Sequence, residues 1–93
     1  MDRLRIDKWL WFARLAKSRS QAQRLVESGA VSLNDRTLLK ASTELRSGDR
    51  LTVRGERVVR QIEVLALAAR RGPAPEARLL YGEFSVEPVT ADK

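Results

Sequence analysis

The sequence predicts an α+β fold: two N-terminal helices packed on a small, mostly antiparallel twisted sheet, with a short C-terminal helical extension. Three observations predict it. Apolar residues recur at helical spacing in two early stretches, the period changes to two at Val31, and a proline-rich break follows residue 69. The first helix is expected over residues 6–16, where Ile6, Trp9, Leu10 and Ala13 form one apolar stripe and Asp7 sits in the first turn, suited to the helix dipole. Lys8, Trp11 and Arg14 lie off that stripe. The second helix is expected over residues 19–28. Ser18 followed by Gln21 matches a capping box, Ala22, Leu25 and Val26 form the buried stripe, and Gly29 stands where a left-handed residue closes a helix.

From Val31 the pattern alternates. Val31 and Leu33 flank Ser32, Asn34-Asp35 makes a tight turn, and Thr37–Leu39 is the return strand. Residues 40–49 are polar and end in the turn signal Gly48-Asp49. Leu51 and Val53 mark the next strand, Gly55-Glu56 a hairpin tip, and Val58 to Leu65 a longer strand. The segment Arg70-Arg71-Gly72-Pro73-Ala74-Pro75 is a linker that continues neither strand nor helix. Residues 76–82 are expected to form one or two helical turns with Leu79, Leu80 and Tyr81 packing back, and the chain to fray after Ser85. Residues 3–66 are thus taken as one domain and 67–93 as a C-terminal extension.

Composition narrows the function. The chain has 93 residues, no cysteine and no histidine, which removes disulfides, thiolate chemistry, the common zinc sites and any histidine general base. Ser18 therefore has no histidine to activate it, and capping accounts for it. Asp7 and Glu27 are scattered acids, Glu44 and Asp49 lie in loops, and there is no glycine-rich phosphate loop. Neither an enzyme nor a cofactor or metal site is expected. No apolar run approaches the roughly eighteen residues of a membrane span, so a cytoplasmic protein without a membrane partner is the expectation.

Charge is the most directional feature. Of a net +6, residues 1–40 carry nine Lys/Arg against four Asp/Glu, and residues 41–93 carry nine against eight. A surplus gathered on one compact unit is an electrostatic footprint for phosphates and points to a nucleic acid. Arg5, Lys8, Arg14, Lys17, Arg19 and Arg24 lie on or beside the two helices and outside the apolar stripes. Asn34, Arg36 and Lys40 belong to the adjacent hairpin, where Asn34 also suits the turn itself. Arg19 follows the capping serine, so a phosphate there would meet its guanidinium, free backbone N–H groups and the positive dipole end together; the competing interpretation is that Arg19 merely lies along the first helix. Trp11 sits roughly 160° round the helix from Trp9. Either a base stacks on it or the segment around Leu79–Tyr81 covers it. The competing interpretation of the whole patch is a solvated helix face, or a surface for an acidic protein partner.

The ordered set Arg5-Ile6-Asp7-Lys8, Lys17-Ser18-Arg19, Ala22, Leu25-Val26, Gly29-Ala30-Val31, Leu33-Asn34 and Gly48-Asp49 resembles the RNA-binding module named for small-subunit ribosomal protein four, the S-four domain. The resemblance covers roughly residues 3–54. Asp7-Lys8-Trp9-Leu10-Trp11 with Ala13-Arg14, and the run Arg70-Arg71-Gly72-Pro73-Ala74-Pro75-Glu76-Ala77 ending in Leu79-Leu80-Tyr81, are similar to the fifteen-kilodalton heat-shock protein family. That resemblance implies binding of ribosomal RNA on the large subunit, with transfer RNA carrying a stalled nascent chain nearby, and a role in rescue or recycling. Two turn positions depart from the pattern: Asp35 replaces the usual glycine and Ala41 the usual proline. The chain is shorter at its C-terminus than the family type, so no role of a longer basic tail is carried over. An RNA-modifying activity of the kind fused to related modules is not expected, because no span is left for a catalytic domain.

Overall fold

The computed structural model describes residues 2–89. In chain order it contains β1 (Leu4–Arg5), α1 (Ile6–Phe12), α2 (Arg19–Glu27), β2 (Val31–Leu33), β3 (Arg36–Thr37), β4 (Glu44–Leu45), β5 (Arg50–Arg54), β6 (Val58–Val64), α3 (Ala74–Ala77), a single 3₁₀ turn (Arg78–Leu80) and β7 (Tyr81–Pro88). The fold is α+β. All pairings are antiparallel, with β3-β2-β5-β6-β7 forming a five-stranded sheet and β1-β4 a separate two-stranded ribbon.

The helices cover one face of the sheet. Ile6, Trp9 and Leu10 of α1 and Ala22 and Val26 of α2 are fully buried against Val31, Leu51, Ile62 and Val64. Trp9 is the largest of these. Its indole Nε1 donates to the Ala66 carbonyl at 2.9 Å, and its ring meets Tyr81 edge-on at 6.4 Å between centroids. A buried indole needs a hydrogen-bond partner, and the chain after β6 supplies it. The N-cap residue of α1, Arg5, makes no side-chain capping bond. The first free N–H groups are taken by the loop before β4, with Ile6 N donating to the Thr43 carbonyl at 2.7 Å and Asp7 N to the Ala41 carbonyl at 3.3 Å, and the Lys8 N–H is taken by the Asp7 side chain.

Both helices close in the same way. In α2, Gly29 at φ 83° lets its own N–H donate to the Val26 carbonyl and the Ala30 N–H to the Leu25 carbonyl. In α1, Arg14 at φ 61° takes that place, with Arg14 N donating to Trp11 O and Leu15 N to Leu10 O. So α1 ends at Phe12 and not at residue 16, although Ala13 and Ala16 stay buried. A left-handed residue with a Cβ costs about 1–2 kcal/mol that glycine avoids. The Asn34-Asp35 turn is of the tight hairpin type with both central residues left-handed, at φ 49° and 71°. Asp35 thus adopts the conformation for which glycine is usual.

The later part of the chain departs most from expectation. Its helical portion is α3 and the 3₁₀ turn, and α3 begins inside the proline-rich segment, with Pro73 as its N-cap and Pro75 in its first turn. Proline is tolerated there because the first N–H groups of a helix have no intrahelical acceptor. The chain then forms β7 instead of fraying after Ser85, and pairs along the whole of β6 with one bulge, where Phe84 is the extra residue between Glu83 and Ser85. Expectations for residues 90–93 lie outside the described residues. Leu80 and Tyr81 pack on the core as expected, whereas Leu79 is 73% exposed. The strand after the Asn34-Asp35 turn is only Arg36–Thr37; Leu38 turns inward and Leu39 is exposed. The ribbon β1-β4 is an additional element: the two residues before α1 pair with Glu44–Leu45, in the otherwise polar stretch 40–49.

Candidate nucleic-acid interface

The face built by α1 and α2 centres on a carboxylate that the sequence pattern presents as a scattered acid. Asp7 is fully buried. Its Oδ1 accepts from Arg5 Nε at 3.1 Å and from the Lys8 backbone N–H at 2.8 Å. Its Oδ2 accepts from Arg5 Nη2 at 2.9 Å, Gln23 Nε2 at 3.1 Å and Arg19 Nε at 3.4 Å. Arg19 and Gln23 stand four residues apart on α2 and so share the side turned to α1. Burial, the largest single influence, pushes the Asp7 pKa up. The hydrogen bonds from Arg5, Gln23 and the Lys8 N–H, together with the Arg19 charge, outweigh it and bring the net below the ordinary 3.8.

Two cations share this one carboxylate. The carboxylate is shielded, whereas the side chains of Arg5 and Arg19 are 41% and 36% exposed. The cluster is therefore net positive and shows its positive side to solvent. Arg19 lies along the first helix, as the competing interpretation of that residue has it, and still stands at the start of α2. There Ser18 Oγ accepts from Gln21 N at 3.0 Å, and Gln21 Oε1 accepts from Lys17 N at 2.6 Å.

The other cations fall into two sets. Lys8, Arg14, Lys17 and Arg24 lie on or beside the helices, and none forms an ion pair among the described residues. Arg36 and Lys40 are exposed on and after the hairpin. The Lys40 carbonyl accepts from both the N–H and the hydroxyl of Thr43, in the turn that caps α1, so Lys40 stands near the Arg5–Asp7 end. Asn34 is differently employed. Its Oδ1 accepts from Arg50 N at 3.0 Å and its Nδ2 donates to Asp49 Oδ1 at 3.2 Å, buckling the hairpin tip to the start of β5. Asp49 in turn accepts from Arg46 N at 2.8 Å.

Trp11 is half-buried, tilted against Phe12 at 5.7 Å between ring centroids. The segment around Leu79–Tyr81 places Tyr81 against Trp9, and what lies over Trp11 is Arg71, whose guanidinium carbon is 5.8 Å from the ring centroid. Asp7, Gln23 and Arg71 are the residues that pattern reasoning passed over. The Arg5-x-Asp7 spacing and the four-residue step from Arg19 to Gln23 were the available signals. Arg71 stands in the run that resembles the heat-shock family, but its contact with Trp11, which spans 60 residues, has no local signal. No group of three or more potential metal-ligating side chains occurs among the described residues, and no described helix is long and apolar enough to cross a membrane.

A paired-helix face of exposed guanidinium and ammonium groups, backed by a small antiparallel sheet, defines a nucleic-acid-binding module. Comparison with known proteins agrees: residues 4–51 match the S4 domain family. The chain is 42% identical over 80 residues to the heat shock protein 15 homolog of Haemophilus influenzae and 40% identical to heat shock protein 15 of Escherichia coli strain K12, in each case over 86% of its length. It spans about 60% of the length of these relatives. A solved structure of heat shock protein 15 from Vibrio cholerae, described as trimeric, superposes with a TM-score of 0.82 at 38% identity, covering 90% of this chain and 84% of that one. The RQC P-site tRNA stabilizing factor of Bacillus subtilis is 40% identical over 57 residues, 60% of this chain and 65% of that protein. The chain belongs to the S4 family of RNA-binding domains and, within it, to the heat shock protein 15 group.

Proposed function

We propose that this chain binds structured ribosomal RNA on the large subunit, with transfer RNA nearby, and acts in the rescue or recycling of stalled subunits in the cytoplasm. The observation that carries this reading is the Asp7-centred cluster, which orients Arg5 through two hydrogen bonds and draws Arg19 to the same carboxylate through one longer contact, with the outer sides of both in solvent. Oriented guanidinium forks suit phosphate oxygens, and phosphate contacts position a protein on folded RNA. Lys8, Lys17, Arg24, Arg36 and Lys40 extend the charged surface around that centre. Few aromatic rings are free to stack, so recognition is of shape and backbone. Residues 3–66 supply the main interface, and the extension from residue 67 stabilises it through β7. The ribosomal context is supported by the heat shock protein 15 relatives and by the Bacillus subtilis relative, whose name places it at a P-site transfer RNA.

The test is crosslinking in cells followed by RNA sequencing. The expected result is enrichment at one large-subunit ribosomal RNA site with transfer RNA co-recovered. A diffuse RNA background, or salt-sensitive association with an acidic protein in place of RNA, would overturn the reading.

A further inference from the structure

The two helices end in the same hydrogen-bonded motif, yet one uses glycine at the left-handed position and the other uses Arg14. Gly29 shows the unstrained solution within this same chain. A side chain retained at the strained position points to a use that glycine cannot serve.

Arg14 and Arg71 are cross-tied. Arg14 Nε donates to the Gly72 carbonyl at 3.0 Å, and Arg71 Nε donates to the Trp11 carbonyl at 3.1 Å. The Trp11 carbonyl also accepts the Arg14 backbone N–H at 3.1 Å, so both arginines are anchored around the last turn of α1. Each guanidinium is pinned through Nε alone. Their Nη groups make no hydrogen bond or ion pair among the described residues. The contact of Arg71 with the Trp11 ring fixes that plane further. The neighbouring Arg70 differs: it is 71% exposed and pairs with Glu76 at 3.5 Å. The carbonyl end of a helix repels anions, but here Arg71 covers one of its carbonyls and two cations stand beside it. Lys8 and Trp11, three residues apart on α1, connect this corner to the Asp7-centred face.

We propose that the Nη edges of Arg14 and Arg71 form a phosphate-binding subsite at the C-terminal end of α1, built from both ends of the chain, which extends the RNA interface onto the 71–72 linker. The inference rests on the RNA-binding reading above and adds a subsite to it. Anchoring through Nε leaves the four Nη N–H donors of each arginine already oriented, so little side-chain freedom is lost when a phosphate binds.

The experiment uses the full chain, a fluorescent hairpin of large-subunit ribosomal RNA and purified large subunits as probes, and polyglutamate as an acidic-protein probe. The variants are Arg14→Gly, Arg71→Lys and, as a control outside the subsite, Arg70→Gln. Arg14→Gly removes the side chain and relieves the backbone. It should keep the wild-type melting temperature or raise it, while weakening RNA binding by about tenfold, and the log–log salt slope should become shallower by about one. Arg71→Lys keeps the charge but loses the fork, and should weaken binding by about fivefold. Arg70→Gln should change affinity less than about twofold. Wild-type binding to RNA with Arg14→Gly and Arg71→Lys unchanged in affinity and slope would overturn the subsite alone. Failure of the wild type to bind either RNA probe would overturn the parent reading with it. Binding of polyglutamate as tight as RNA, weakened equally by both variants, would reassign the subsite to carboxylates.

Discussion

Replacing Asp7 with asparagine sets two effects of opposite sign against each other. Long-range electrostatics favours tighter RNA binding by the variant, because the formal net charge rises by one from +6. Positioning predicts the reverse, because the carboxylate that holds Arg5 and Arg19 is gone. The stability cost follows from the geometry. Asp7 is fully buried and accepts two bonds from Arg5, one each from Gln23 and the Lys8 N–H, and the longer contact from Arg19. Asparagine keeps one acceptor for the Lys8 N–H but turns an amide N–H₂ toward other donors. Removing one partner of a fully buried charge pair costs about 3–5 kcal/mol. Here the remaining arginines are more than a third exposed and are rehydrated. The expected cost is therefore about 2–3 kcal/mol, a fall of about 10–20 °C in a domain of this size. The assay pairs thermal melting with fluorescence anisotropy on labelled ribosomal RNA, the latter well below the variant's melting temperature. The expected outcome is a folded variant that binds at least fivefold more weakly, roughly 1 kcal/mol. Affinity equal to or tighter than wild type would refute positioning, and a melting shift of less than about 3 °C would refute the stability reckoning.

The same carboxyl predicts the acid behaviour. Its folded pKa lies below 3.8, so its stabilisation is present above the unfolded value and is lost as pH falls through the folded one. The melting difference between wild type and Asp7→Asn should therefore shrink below pH 3.8 and stay constant toward neutrality; a constant difference at all pH values would contradict it. If about five phosphates are neutralised, log affinity should fall against log salt with a slope of about −3.5 to −4.5, and a flat response would remove the phosphate assignment. Ser18→Ala should cost about 1 kcal/mol of stability with RNA affinity unchanged below the melt, because the hydroxyl caps Gln21 N and touches no cation. With Arg71 over its ring, Trp11 should change its emission in Arg71→Ala even without RNA, which a comparison with Trp11→Phe isolates; identical spectra would mean that the contact does not persist in solution.

Charge reversal at Arg19 is a poor probe of RNA contact alone. The new carboxylate would face buried Asp7, so folding and binding would be perturbed together. The sequence alone leaves open whether Arg19 stands free at a helix start or lies along the first helix, and gives no sign that it shares a buried carboxylate with Arg5. The difference illustrates what period and spacing convey. The stripes of Ile6, Trp9, Leu10 and Ala13, and of Ala22 and Val26, were legible because burial on one helix face repeats every three to four residues. The ends of α1 and α2 were unequally legible: Gly29 announces a left-handed closure, whereas Arg14 in the same conformation carries no local signal. Strand β7 was hidden because Tyr81-Gly82-Glu83-Phe84-Ser85-Val86-Glu87-Pro88 holds a glycine, a proline and a bulge that breaks the alternation. Pairing with β6, not its own composition, makes it a strand.

By itself the amino-acid order determined the helix pair, the switch to strands, the concentration of positive charge in the first forty residues and the lack of histidine and cysteine chemistry. These are local or additive properties, readable from neighbours a few positions apart. Only the tertiary structure decided that Asp7 is buried beneath Arg5 and Arg19, that Asn34 braces a turn, and that Arg71 returns across 60 residues to the end of α1. The physical reason is that the orientation of a charged side chain depends on which donor or acceptor the folded chain brings within about 3 Å of it.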